Sequence, residues 1–254
     1  MRDSLREVIR LTSFAAIKGL KVIGTDKRTE ISAVDDEREL IINVTLNEAV
    51  PEFEGVFGIP NLKLLESLLN FDAFREGSIE ITRFNRTNRD DDGEETIVEV
   101  PQSVTFKDTK GGMANFWFNH GKSLPVGSDA PKVPWSVEFE PTKKAIQEFT
   151  KLANIFATPE CRLFGIKTVG GSLRLTFGTE GATTHHGEMV FEENVSGTVV
   201  GGHYWPSAKL ISVLKAVTAI GGPITLSVMD KLMMVSTSTP VASYKFYLRA
   251  QKEQ

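Results

Sequence analysis

Hydrophobic and polar positions alternate with two distinct periods along the 254 residues. Residues 4–16 place Leu5, Val8, Ile9 and Leu11 on one side of a helix, with Ser4 as its N-cap. Residues 61–75 repeat the pattern with Leu62, Leu65, Leu68, Leu69 and Phe71, behind Pro60 and a capping Asn61. Between and after these helices the period falls to two. The segments 20–23, 29–34, 40–46, 53–59, 78–84, 96–100, 103–106 and 113–118 read as strands joined by tight turns.

The second half repeats the order. A strand over 135–140 precedes a helix capped by Thr142 and carrying Ile146, Phe149, Leu152 and Phe156. Strands follow over 162–168, 172–177 and 188–192. Pro206 and Ser207 then open a helix with Leu210, Val213, Leu214 and Val217, and strands over 224–228, 232–236 and 243–249 close the chain. Equivalent landmarks are offset by 138, 146 and 130 residues, a drift that insertions in surface loops explain. The reading is a duplicated α+β fold. Domain 1–120 and domain 135–254 each hold two helices packed on antiparallel sheets. Residues 121–134, rich in Gly and Pro, form an extended connector.

Charge changes this picture. The net charge is −4 and the pI about 5.7, which by themselves argue against nucleic-acid binding. The four helices, however, total +6, which leaves −10 on the rest of the chain. Arg2, Arg6 and Arg10 recur every four residues on one stripe, and Lys144 and Lys151 share a face seven residues apart. A basic helical face without a base-reading motif suits phosphate contact that ignores sequence.

Several apparent chemical sites dissolve on inspection. Asn88, Asp90, Asp92, Gly93 and Glu99 match positions 1, 3, 5, 6 and 12 of a calcium loop. Their flanks alternate as strands, so Asp92-Gly93 reads as a hairpin turn. His185-His186 has no third ligand at usable spacing, and His120, His203 and Cys161 are isolated. Gly111-Gly112 and Gly170-Gly171 separate strands rather than opening helices. There is no phosphate loop, nucleophile elbow or zinc-protease motif. No enzyme, metal or cofactor is expected. A single cysteine, the charged start Met1-Arg-Asp-Ser-Leu-Arg-Glu and the lack of a long apolar run indicate a cytoplasmic protein without a membrane span.

The duplicated order, with basic helices on an acidic chain, resembles the DNA polymerase sliding clamps. The closing run Pro223-Ile-Thr-Leu-Ser-Val-Met-Asp-Lys-Leu-Met-Met-Val, followed by Ser243-Tyr-Lys-Phe-Tyr-Leu-Arg-Ala250, is similar to the last strands of two-domain clamps, with Arg249-Ala250 where that family ends in Ala-Pro. The opening helix with no strand ahead of it, Gly19-Leu20-Lys-Val-Ile, Ile31-Ser-Ala-Val34 and the Pro-rich connector look closest to clamps of tailed phages, which would place the protein in the cytoplasm of a host cell.

The resemblance implies a homotrimeric ring that encircles duplex DNA and tethers the replicative polymerase for processive synthesis. Arg2, Arg6, Arg10, Lys143, Lys144, Lys151, Lys209 and Lys215 would face the duplex. Subunits would join through edge strands at Asn115, Phe116, Trp117 and Phe118 on one side and Glu188, Met189, Val190 and Phe191 on the other. A groove at Leu124, Val126, Leu232, Met233, Tyr247 and Ala250 would take the C-terminal peptide of the polymerase, a clamp-loader ATPase, and transcription or repair factors. The competing readings are a non-catalytic assembly protein with the same duplicated fold, and an enzyme built on the acidic 88–99 loop.

Overall fold

The computed structural model describes residues 1–14, 17–89, 95–121, 134–158, 161–178 and 185–251. They form two compact units: Met1–Asp36 with Ile42–Gly127 and Pro240–Ser243, and Glu37–Ile41 with Ser128–Thr239 and Tyr244–Gln254.

In the first unit, α1 (Arg2–Thr12) precedes β1 (Gly19–Gly24), β2 (Thr29–Val34), β3 (Leu40–Leu46) and β4 (Gly55–Pro60). Alternation drives these strands: Leu20 and Val22, Ile31 and Ala33, and Ile42, Val44 and Leu46 are buried on one face. Helices α2 (Leu62–Asn70) and α3 (Asp72–Arg75) follow, then β5 (Ser78–Arg89), β6 (Glu95–Lys107), β7 (Met113–Trp117) and β8 (Asn119–His120). Strand order is β8-β4-β1-β2-β3 in one sheet and β5-β6-β7 in the other.

The second unit repeats this plan: β9 (Val137–Phe139), α4 (Lys143–Ile155), β10 (Leu163–Val169), β11 (Ser172–Phe177), β12 (Gly187–Glu192), β13 (Tyr204–Pro206), α5 (Ser207–Ile220), β14 (Ile224–Met229), β15 (Leu232–Ser238) and β16 (Ala242–Arg249). The order β13-β10-β11-β12 reproduces β4-β1-β2-β3, and β14-β15-β16 reproduces the meander β5-β6-β7. In both units four strands lie in the order fourth, first, second, third, that of a Greek key. The duplication is therefore one of topology as well as of pattern.

Several boundaries differ from the sequence reading, each for a local reason. Helix α1 begins two residues earlier, with Met1 at the cap, where its carbonyl accepts the Leu5 N–H at 2.9 Å, so Ser4 lies inside the helix. The helix expected over 61–75 breaks at Phe71, whose backbone is extended (φ −68°, ψ 122°). The break lets Phe74 turn inward onto Phe106 at 5.8 Å. Asn61 caps α2 as expected, accepting from Leu64 N–H at 3.3 Å. The strand over 53–59 starts instead with a 3-10 turn, Pro51–Phe53, and its close approach explains Gly24: a Cβ there would lie 2.0 Å from the Phe53 carbonyl oxygen. The segments 96–100 and 103–106 are one strand. Pro101 lies opposite Arg83 beside a register shift between Thr82 and Arg83, the kind of irregularity where a strand tolerates proline. Asp92-Gly93 lies outside the described residues, but its flanks pair as a hairpin, Arg89 opposite Glu95.

Candidate nucleic-acid interface

Helix α4 is set by its cap and its core. Thr142 Oγ1 accepts the Ala145 N–H at 3.1 Å. Phe149, fully buried, meets the rings of Phe164, Phe191 and Phe177 at centroid distances of 5.2, 5.9 and 6.1 Å. With that face inside, Lys143, Lys144 and Lys151 are exposed. Helix α5 ends on Gly221 in the left-handed region (φ 73°) and buries Leu210, Val213, Leu214 and Val217, which leaves Lys215 outside.

The two helices enclose an open groove of about 460 Å³. Ile146 and Leu214 form its floor; Lys151 and Thr150 border it from α4, Lys215 and Thr218 from α5. The strip itself is largely apolar, with Lys151 and Lys215 at its sides; the Thr150 hydroxyl donates to the Ile146 carbonyl at 2.8 Å. Helical spacing alone marks the lysines; the threonines and the apolar floor carry no separate signal in the sequence.

Other basic residues are committed within the fold. Arg2 donates to the carbonyls of Arg75 and, at 2.9 Å, of Gly77. Arg6 donates to the Leu69 carbonyl at 3.0 Å and lies 3.5 Å from the Asp3 carboxylate. Both guanidiniums therefore satisfy the C-terminal ends of α2 and α3, where carbonyls lack helical partners and the dipole favours a cation. Arg10 is exposed. Lys209 is only 16% exposed at its side chain, with its Nζ 2.6 Å from Glu37 and 3.1 Å from Glu39. Burial raises the Glu39 carboxyl above its ordinary range, against the downward pull of Lys209. The Lys209 charge is balanced on the spot.

Both segments expected at a subunit junction are sheet edges. Strand β7 ends the order β5-β6-β7, and β12 ends the order β12-β11-β10-β13. The Phe118 N–H donates to Gln102 O at 2.9 Å. Alternation of the antiparallel ladder then turns the backbone groups of Met113, Asn115 and Trp117 away from β6. Phe116 is core at 3% exposure, Phe118 packs on Phe57 at 4.7 Å, and Trp117 and Met113 are 60% and 61% exposed. On β12, Phe191 is buried, Met189 half-buried and Val190 exposed. The Glu188 carboxylate is held by Arg174 at 2.6 Å and Lys167 at 3.1 Å; those hydrogen bonds, Arg174 first, depress its pKa.

The residues expected to line a peptide groove scatter. Leu124 and Val126 lie outside the described residues. Leu232 and Ala250 are half-buried surface positions. Met233 is fully buried, opposite Val228, on the inward face of β15, out of reach of a partner. Tyr247 is 4% exposed, and burial pushes its hydroxyl pKa up.

Solved structures share this architecture. Proliferating cell nuclear antigen (PCNA) from Thermococcus kodakaraensis superposes with a TM-score of 0.62 at 12% identity, over 99% of this chain and 97% of that one. PCNA from Entamoeba histolytica gives 0.62 at 14%, over 98% and 96%. PCNA of A. fulgidus, solved with the C-terminal region of FEN-1 bound, gives 0.66 at 11%, over 100% and 97%. The chain has the DNA-clamp fold. No protein-family model matches the sequence, and no curated protein is found similar to it. Among the described residues, no helix is long and apolar enough to cross a membrane.

Proposed function

We propose that the protein is a sliding clamp: three copies close into a ring around duplex DNA and tether the replicative polymerase. The observation that supports this reading is that, among the described residues, β7 and β12 are each outermost in a sheet, one in each unit of a clamp fold. They are unlike surfaces on one chain, so they join head to tail and generate a closed ring if the rotation closes. Chemistry of its own is not required; processivity follows from topology.

The duplex contact is assigned to Lys143, Lys144, Lys151 and Lys215, with Arg10 on α1. Lys209 is left out because Glu37 and Glu39 already balance it, and Arg2 and Arg6 act first as helix-end donors. Exposed ammonium groups, of which Lys144 lies 3.7 Å from the Glu148 carboxylate, give a weak, salt-screened attraction that permits sliding. Lys151→Glu combined with Lys215→Glu should weaken binding to linear duplex at low salt by about tenfold or more and flatten its salt dependence. It should shorten polymerase products while the melting temperature stays unchanged. Unaltered product length at moderate salt would remove the α4–α5 face from the duplex contact.

Partner peptides, from the polymerase, a clamp-loader ATPase, or transcription or repair factors, are proposed to dock near Leu232, Ala250 and the connector residues Leu124 and Val126. The FEN-1 segment bound to the A. fulgidus clamp supports peptide capture as a mode open to this fold. Met233 and Tyr247 instead support the groove from inside. The tailed-phage type, and with it a site of action in a host cytoplasm, rests on the opening-helix and connector motifs alone.

A further inference from the structure

The two repeats treat one strand edge differently. In the second unit, β9 covers the outer side of β14, with Val137 opposite Val228 and Phe139 opposite Leu226. Across β14, Val228 faces Met233 and Leu226 faces Val235 on β15. Two rows of three side chains thus run inward from β9 to β15. Val137, Leu226, Val228, Met233 and Val235 are buried, none above 2% exposure. Phe139 meets Phe191 edge-on at 5.8 Å.

The first unit keeps two members of each row. On β5, the counterpart of β14, Ile81 faces Val104 and Ile79 faces Phe106 on β6. Val104 and Phe106 are buried, at 0% and 1% exposure, but Ile79 and Ile81 are only half-buried. Among the described residues β5 pairs with β6 alone and is outermost in its sheet, on the side away from β7. Such an edge presents N–H and C=O groups to any strand that can pair with it, and is ordinarily blunted by proline, lysine or a bulge. Ser78–Thr82 contains neither proline nor lysine, and its register with β6 is continuous up to the shift between Thr82 and Arg83. Its one charge is Glu80.

We infer that the β5 edge at Ser78–Thr82 binds an extended segment of a partner protein as an added antiparallel strand, in the place that β9 takes on β14. In strand addition, backbone hydrogen bonds supply affinity and alternate side chains supply selectivity. Strand β9 defines the chemistry of the segment. Two apolar residues, one position apart from each other, complete the inward rows opposite Ile81 and Ile79. The residue between them lies opposite Glu80. In the second unit the equivalent pair is Ser227, whose Oγ donates to the Glu138 carboxylate at 2.8 Å. In the first unit the acceptor is on the receiving strand, so the incoming residue is the donor. The Glu80 side chain is 58% exposed and has Lys107 Nζ at 2.6 Å from the β6 side, which leaves its other side to a lysine, an arginine or a hydroxyl. Strand-borne runs of this kind with a basic centre in this chain, Leu20-Lys21-Val22, Leu173-Arg174-Leu175 and Tyr244-Lys245-Phe246, lie in β1, β11 and β16. Each of those strands is flanked by strands on both sides, so the segment is assigned to a different protein.

Fluorescence anisotropy on the full chain tests this with three dye-labelled peptides of residues 135–140. One carries Glu138→Lys, one keeps Glu138, and one carries Glu138→Lys with Val137→Asp. The first should bind about tenfold or more tightly than either of the others, and hydrogen exchange at Ser78–Thr82 should slow when it is bound. In Glu80→Lys, a change on the exposed face of β5, the order of the first two peptides should invert with little change in melting temperature. Equal affinity for the three peptides, an order that survives Glu80→Lys, or exchange at Ser78–Thr82 that the peptide leaves unaltered would overturn the proposal. Failure of the first peptide to bind at millimolar concentration would do the same. Amides of Ser78–Thr82 that are protected in the parent without peptide and lose that protection on dilution would put a second copy on the edge and overturn the partner assignment. The ring reading stands or falls separately from each of these results.

Discussion

Asn115→Pro should turn the assembled protein into a folded monomer. The Asn115 N–H points away from β6, so its loss costs no hydrogen bond within the subunit. Proline is tolerated on an edge strand for that reason, but it removes a donor and places a ring where the next strand would lie. The side chain gives up one exposed hydrogen bond, from Thr105 Oγ1 at 2.7 Å, which is a small loss. Light scattering after gel filtration should show one subunit mass at micromolar concentration, and the melting curve should keep its cooperativity. An unchanged assembly would mean that β7 is not the junction, whatever the assembly is for.

Phe149→Ala should cost about 3–5 kcal/mol of stability in the second unit. No other residue of α4 reaches so far into the core: Phe149 is fully buried among three rings, and its removal leaves a void lined by Phe164, Phe177 and Phe191. These rings are held by three different strands, so collapse around the void is resisted by the sheet. The denaturation midpoint in urea reads the loss directly. Because Lys143, Lys144 and Lys151 ride on the same helix, duplex binding should fail at a lower temperature than in the parent. A loss below about 1 kcal/mol would show that the aromatic cluster is not what seats α4.

Much of the fold was legible because period-two alternation is a strong signal where one face is buried. Strands 29–34, 40–46 and 172–177 match the sequence reading residue for residue. Thr142 and Asn61 cap as their chemistry suggests. The misreadings arise where tertiary contacts outweigh the local pattern. Phe71 looks like the last apolar residue of a helix, yet the chain turns there to send Phe74 into the core. Met233 looked like a flexible surface anchor, and its phase with Val235 places it inside.

The candidate site was legible as charge but not as availability. Helical spacing found Arg2 and Arg6, but the carbonyls they serve lie 63 to 75 residues away. Lys209 finds Glu37 across 172 residues. Order along the chain pointed to β7 and β12, which are outermost strands of their sheets.

The claim that the protein acts by encirclement is tested most directly by topology. Protein is added to linear duplex, where a ring can thread over an end, and the DNA is then ligated into a closed circle. After a wash at salt high enough to screen surface charge, the account expects about one ring or more to remain per circle and to leave when a restriction enzyme cuts it. Equal loss from circles and from linear duplex would contradict encirclement and reduce the basic face to ordinary electrostatic binding.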